Sequence, residues 1–181
     1  MKRVYIDTSI LVFFFIRTFD ASFSKMAKDF LTKVESGQYE GVISLFVLME
    51  LVKQLRELLV KANVCMKADW ETAVKTAFEA IYKMQNMKII EGTVAEKGQS
   101  DSCSLLTHSE VAWDSFNIMN KYCGSVKLKN GGFVHDGIHP VDAVHVALAK
   151  KTGCSMIATL DRDFKETDNE VKSLILLDDP F

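Results

Sequence analysis

Short apolar runs of strand length alternate along this chain with longer stretches whose apolar residues recur every three or four positions, and that alternation constrains the fold more than any other feature. Arg3 to Asp7, Val42 to Phe46, Met87 to Ile90, Cys154 to Thr159 and Ser173 to Leu177 read as strands. Between them, Ser22 to Ser36 presents Phe23, Met26, Ala27, Phe30, Leu31 and Val34 at helical spacing, and Gly37 ends it. Leu48 to Val60, Lys67 to Gln85, and Ser109 to Lys121 with Val111, Trp113, Phe116, Ile118 and Met119 follow as helices. A last one runs from Pro140, suited to a first helical turn, to about Lys151, with Gly153 closing it. Parallel neighbours need crossover connections, and those are right-handed, so the expected fold is α/β: a parallel sheet flanked by helices on both faces. One interruption is expected, an inserted hairpin at about residues 125–135, where Asn130-Gly131 supplies two turn residues that tolerate positive φ.

At 181 residues and 48% apolar composition the chain can bury one sizeable core, and nothing in it reads as a linker or a repeat. Residues 1–181 are therefore expected to form a single domain. The formal net charge of −2 excludes a polycation, so any contact with nucleic acid would depend on a local basic patch. Cys65, Cys103, Cys123 and Cys154 include no CxxC pair, which argues against a zinc site and against a disulfide scaffold. The start, MKRVYIDTSILVFFFIRTFD, has basic residues before an apolar stretch, as a secretory signal would. Asp7 interrupts that stretch, no small-residue cleavage site follows, and the run is too short to span a bilayer, so a cytoplasmic protein without membrane association is expected.

Acidic residues stand at the junctions of these elements: Asp7 in VYIDTSIL, Glu50 in VISLFVLMELVKQL, Asp142 in HPVDAVHVALAKK, and Asp161 with Asp163 in MIATLDRDF. A carboxylate beside Val4, Tyr5 and Ile6, or beside Leu48, Met49 and Leu51, sits where burying a charge is costly unless it is paired or bound to a metal. Acids at the carboxyl ends of strands in an α/β sheet fall where such sheets place their ligands. An all-oxygen set with few histidines suits a hard cation, Mg²⁺ or Mn²⁺, rather than zinc. Such an ion lowers the pKa of water, which points to metal-assisted hydrolysis of a phosphodiester.

In its ordered motifs the chain resembles the PIN-domain ribonucleases, the family that includes the VapC toxins. VYIDTSIL, Glu50 on the helix after the second strand, VDAVHVALAKKTG and MIATLDRDF span nearly the whole chain in the family's order. The resemblance implies that Asp7, Glu50, Asp142 and the Asp161/Asp163 pair form an acidic Mg²⁺ or Mn²⁺ pocket, with Ser9 as its small polar residue. It implies an endoribonuclease acting on an RNA substrate and leaving a 5′ phosphate and a 3′ hydroxyl, a homodimer, and a small antitoxin protein as partner in a VapBC-like pair. The chain is longer than the compact toxins, with extra length near Lys61 to Thr76 and Tyr122 to His139. A housekeeping or structure-specific nuclease therefore stays open, as does a PIN-fold binding module without catalysis. A haloacid dehalogenase-type phosphatase needs a second aspartate two residues after the first, where Ser9 stands.

Each of these residues also has a plainer use. Asp7 could end a strand, Asp142 could simply complement the helix dipole after Pro140, and Glu50 could pair with Lys53 or Gln54. Asp161 and Asp163 could make a turn. His145, three residues after Asp142 on nearly the same helix face, is placed where it could orient a carboxylate or touch a phosphate, but it is expected to be a packed, hydrogen-bonded helix histidine outside the catalytic set. Lys121, Lys127, Lys129 and Arg162 are expected to be solvated surface, and Phe13, Phe14 and Phe15 to pack in the core or at a dimer contact.

Overall fold

Val4, Tyr5 and Ile6 are fully buried because β1 (Lys2–Ile6) lies at the centre of a parallel sheet, with a strand on either side. In the computed structural model, which describes residues 1–16, 20–61, 67–90, 108–122, 127–129, 132–134 and 138–178, β2 (Tyr39–Ser44) flanks β1 on one side and β6 (Met156–Thr159) on the other. β3 (Met87–Ile90) and β7 (Lys172–Ile175) complete the order β3-β2-β1-β6-β7, and every pairing is parallel. Helices flank the sheet on both faces, as the alternation of patterns requires. From β1 the chain works outward to β2 and β3, then returns to β1's other side for β6 and β7. The carboxyl ends of β1 and β6 thus adjoin the point where the strand order reverses, and a crevice opens there.

The helices are α1 (Thr8–Phe15), α2 (Ala21–Glu35), α3 (Leu45–Arg56), α4 (Lys67–Lys83), α5 (His108–Tyr122) and α6 (Pro140–Lys151). α2, α4, α5 and α6 fall within about two residues of the expected spans. Gly37 at φ +79° and Gly153 at φ +69° end α2 and α6 in the left-handed conformation that glycine adopts without strain. Gly41 serves packing instead: a Cβ there would lie 2.9 Å from Ile6 Cδ1 and from Val34 Cγ1, so its absence lets α2 settle on the sheet.

Two local corrections bear on the site. α1 has no counterpart in the periodicity, because Ile10 to Ile16 is apolar on every side and a helix hidden in such a run shows no stripe. The second strand ends at Ser44, not Phe46, since Ser44 Oγ accepts from Val47 N at 3.3 Å and caps α3 three residues earlier than expected. Glu50 accordingly sits in the second turn of α3, and the helix passes into a π-helical turn over Glu57–Lys61. Further along, β4 (Lys127–Lys129) pairs antiparallel with β5 (Gly132–Val134), matching Leu128 to Phe133. The Asn130-Gly131 turn and the outer ends of the expected hairpin, Ser125 and His135, lie outside the described residues, as do Cys65, Cys103 and Cys123. Cys154 is a buried free thiol, and no helix among the described residues is long and apolar enough to cross a membrane.

Candidate active site

Asp7 follows β1 directly and caps α1, and it is only 6% exposed. Its Oδ1 accepts from Thr8 N at 2.7 Å. Oδ2 accepts from Ser9 Oγ at 2.5 Å, Ser9 N at 3.3 Å and Thr159 Oγ1 at 2.8 Å. The plainer use of Asp7 as a cap is thus real, but a cap alone does not require burial or a further hydroxyl delivered from β6. Glu50 reaches the same place from α3, where its Oε2 accepts from Thr8 Oγ1 at 2.8 Å and from His145 Nε2 at 2.6 Å. His145 Nε2 is also 3.7 Å from Asp7 Oδ1.

Asp7, Thr8, Ser9, Glu50, Asp142 and His145 line one cavity of about 300 Å³, bounded on its apolar side by Val12, Phe13 and Leu58. Its electrostatics are those of crowded acids. Burial first, and then the charges of Asp7, Asp161 and Glu50, together push the Asp142 carboxyl up to about 7, with His145 only partly offsetting them. Burial also works against ionised Glu50, yet the hydrogen bond and charge of His145, with help from Thr8, hold it below the usual carboxylate range. For His145 burial opposes the charged form, and the Glu50 hydrogen bond with the Asp7, Glu50 and Asp142 charges outweighs it, so its pKa rises.

The acids of the last motif are placed differently. Asp161 caps the 3₁₀ turn Arg162–Thr167, accepting from Asp163 N at 2.9 Å, and both side chains are exposed. Neither lines the cavity. Asp161 is tied to the site through Thr159, whose Oγ1 accepts from Asp161 N at 2.9 Å while donating to Asp7, and its charge is felt at Asp142. Nothing comparable links Asp163 to the acids of the cavity among the described residues. Lys121 and Arg162 are engaged by carboxylates, Glu170 at 2.5 Å and Asp178 at 3.2 Å. Phe13 to Phe15 pack, half-buried, against the core, with Phe13 edge-on to Phe23.

Sequence reasoning passed over Thr8 and Thr159 and set His145 outside the site. Thr8 stood inside DTS and His145 on the Asp142 face of α6, so both carried a signal; Thr159 had none, because only the sheet register sets it beside Asp7. His145 is packed and hydrogen-bonded as expected, but its partner is Glu50, which brings it into the site.

Among the described residues no group of three or more His, Cys, Asp or Glu side chains is arranged to hold a metal ion. The donor chemistry nevertheless fits a hard cation: carboxylates from three elements share one cavity, and positive charge among them would favour the ionised form of Asp142 that burial and crowding oppose. An open arrangement of this kind suits Mg²⁺ or Mn²⁺, which keep several waters and need one or two carboxylates.

Acids gathered in a crevice at the carboxyl edge of an open parallel sheet define an α/β protein whose candidate site lies where such sheets place their ligands, at the reversal of strand order. More specifically, the chain belongs to the PIN-domain family, whose profile matches residues 4–170. Among solved structures it is similar to VapC20 of Mycobacterium tuberculosis, described as a sarcin-ricin loop cleaving toxin, with a TM-score of 0.53 and 14% identity over 92% of this chain and 94% of that one. It is likewise similar to VapBC2 of Rickettsia felis bound to a DNA fragment from its promoter, with a TM-score of 0.53 and 13% identity over 95% of this chain and 97% of that one. At such identities these neighbours establish the shared fold. No curated protein sequence matches the chain significantly.

Proposed function

We propose that this PIN-domain protein is a Mg²⁺- or Mn²⁺-dependent endoribonuclease and the toxin of a VapBC-like pair. The observation that carries the proposal is the convergence of Asp7, Glu50 and Asp142 from three separate elements on one cavity. Asp7, Glu50 and Asp142 would hold the ion, and Asp161 would join from the rim; the ion, when bound, supplies Lewis acidity for phosphodiester hydrolysis. The remaining work falls to the chain. Thr8, Ser9 and Thr159 fix the Asp7 carboxylate by saturating its inner lone pairs. Val12, Phe13 and Leu58 exclude water from one wall, which strengthens every charge interaction inside.

The neighbours lend support, since one is described as a sarcin-ricin loop cleaving toxin and the other as VapBC2 bound to a DNA fragment from their promoter. For a homodimer, support comes from the surface. Leu45 and Met49, 51% and 64% exposed, line an apolar hollow of about 330 Å³ shared with α5, on which Trp113 and Phe116 stand exposed and stacked.

The test is cleavage of RNA by the purified protein with Mg²⁺ or Mn²⁺, with and without EDTA. Cleavage is expected only with metal, and Asp7→Asn or Asp142→Asn should lower the rate at least about a hundredfold. Undiminished cutting in EDTA, or losses under about threefold in both variants, would refute it.

A further inference from the structure

His145 is the most deeply buried polar residue of the cavity, 1% exposed, and its ring is enclosed by aromatic side chains. Phe46 meets it edge-on at 5.2 Å between centroids and Tyr5 lies tilted at 5.7 Å. Both ring nitrogens have partners. An ionised carboxylate only accepts, so the 2.6 Å contact to Glu50 Oε2 places the proton on Nε2. On the other side Nδ1 is 3.2 Å from the Tyr5 hydroxyl, which is 2.7 Å from Ser44 Oγ. Ser44 is the cap of α3, the helix that bears Glu50. The chain of contacts therefore starts and ends on the same helix, passing through the central strand and α6.

We infer that His145 is a positioning residue: through the buried Ser44–Tyr5–His145 chain it holds the Glu50 carboxylate in one orientation, with Oε2 committed to the protein. Thr8 Oγ1 and His145 Nε2 both end on that oxygen. Among the described residues no side chain or backbone group hydrogen-bonds Oε1, which leaves it for a ligand of the cavity. A carboxylate on a flexible glutamate stem loses this orientation once the donor behind it is removed, and the loss of such outer partners weakens metal binding by about 10–100-fold. The catalytic consequence rests on the metal-nuclease function proposed above; the positioning itself does not.

The experiment compares wild type with His145→Gln, whose amide N–H can replace Nε2–H, His145→Phe, which fills the same space without a donor, and Tyr5→Phe. Metal-free crystal structures report the Glu50 side chain, and calorimetric Mn²⁺ titration reports the site. His145→Phe is expected to displace the Glu50 carboxylate from Thr8 and raise the Mn²⁺ dissociation constant about tenfold or more, while His145→Gln restores most of both. In RNA cleavage His145→Phe should lower kcat with little change in KM. Tyr5→Phe, which keeps the fold if His145→Phe does not, should weaken Mn²⁺ about fivefold, the share of one hydrogen bond. Unmoved Glu50 in His145→Phe would overturn the inference, and so, where wild type binds Mn²⁺, would equal Mn²⁺ affinity in the Phe and Gln variants or Tyr5→Phe matching wild type. If wild type binds no Mn²⁺ yet Glu50 moves in the Phe variant and returns in the Gln variant, the positioning stands and the metal-nuclease function falls.

Discussion

Asp142 is the residue whose chemistry depends most on its surroundings. In the fold its carboxyl keeps a proton up to about pH 7, whereas in the unfolded chain it releases it near the ordinary 3.8. Between those values the native state binds more protons than the unfolded one, so this group's stabilising contribution, full below about pH 4, is lost as pH rises through about 7. An amide at this position would not titrate. In metal-free buffer Asp142→Asn should therefore melt progressively higher than wild type between about pH 5 and pH 8, by about 2–4 °C for each kcal/mol of relieved repulsion. A difference that stays flat across that range would mean the acids do not crowd one another. The helix-dipole explanation available from local sequence predicts the opposite, a loss of stability on removing an acid from the first turn of α6.

At the scale of elements, the cap of α3 sets where Glu50 stands. Ser44 ends β2, starts α3 and anchors Tyr5, three tasks from one hydroxyl. Asp20 is a capping residue of another helix, accepting from Ser22 N at 2.8 Å and Phe23 N at 3.2 Å at the start of α2. Ser44→Ala and Asp20→Ala should each cost about 0.5–2 kcal/mol in urea denaturation, the range for a lost cap. Only Ser44→Ala should also weaken Mn²⁺ binding, because only that cap is joined to Glu50. Equal Mn²⁺ affinities would separate the cap from the site. Most elements were legible in the sequence because burial leaves a pattern: α2 shows its one buried face as a stripe, and β1, buried on both faces, shows the run Val4 to Ile6. α1 was not, since its all-apolar run has no polar face to mark the period. The start of α3 was missed because Leu45 to Leu48 suits a buried strand as well as a helix, and a single serine decided between them.

For the whole molecule, metal and fold are linked. A ligand that binds the native site and not the unfolded chain adds about 2.7 kcal/mol at a hundredfold excess over its dissociation constant. Saturating Mn²⁺ should therefore raise the wild-type melting temperature, and Asp7→Asn and Asp142→Asn should lose most of that rise. Equal shifts in all three proteins would show that these acids share no metal pocket. The apolar hollow gives a second expectation at this scale: light scattering should find a dimer, and Met49→Glu with Trp113→Glu should yield a folded monomer. A wild-type monomer at micromolar concentration would remove the homodimer. Taken alone, the sequence determined the α/β class and the sheet's parallel sense, because strand and helix periods are local properties, and it singled out Asp7, Glu50, Asp142, Asp161 and Asp163 without separating those of the cavity from the other two. Only the tertiary structure decided which hydroxyls hold Asp7, that His145 backs Glu50, and that Asp161 and Asp163 both lie outside the cavity lining, with Asp161 joined to Asp7 through Thr159. Those relations join residues that lie far apart in the chain, and the pairing of β1 with β6 and the seating of α6 beside α3 bring them within hydrogen-bond reach.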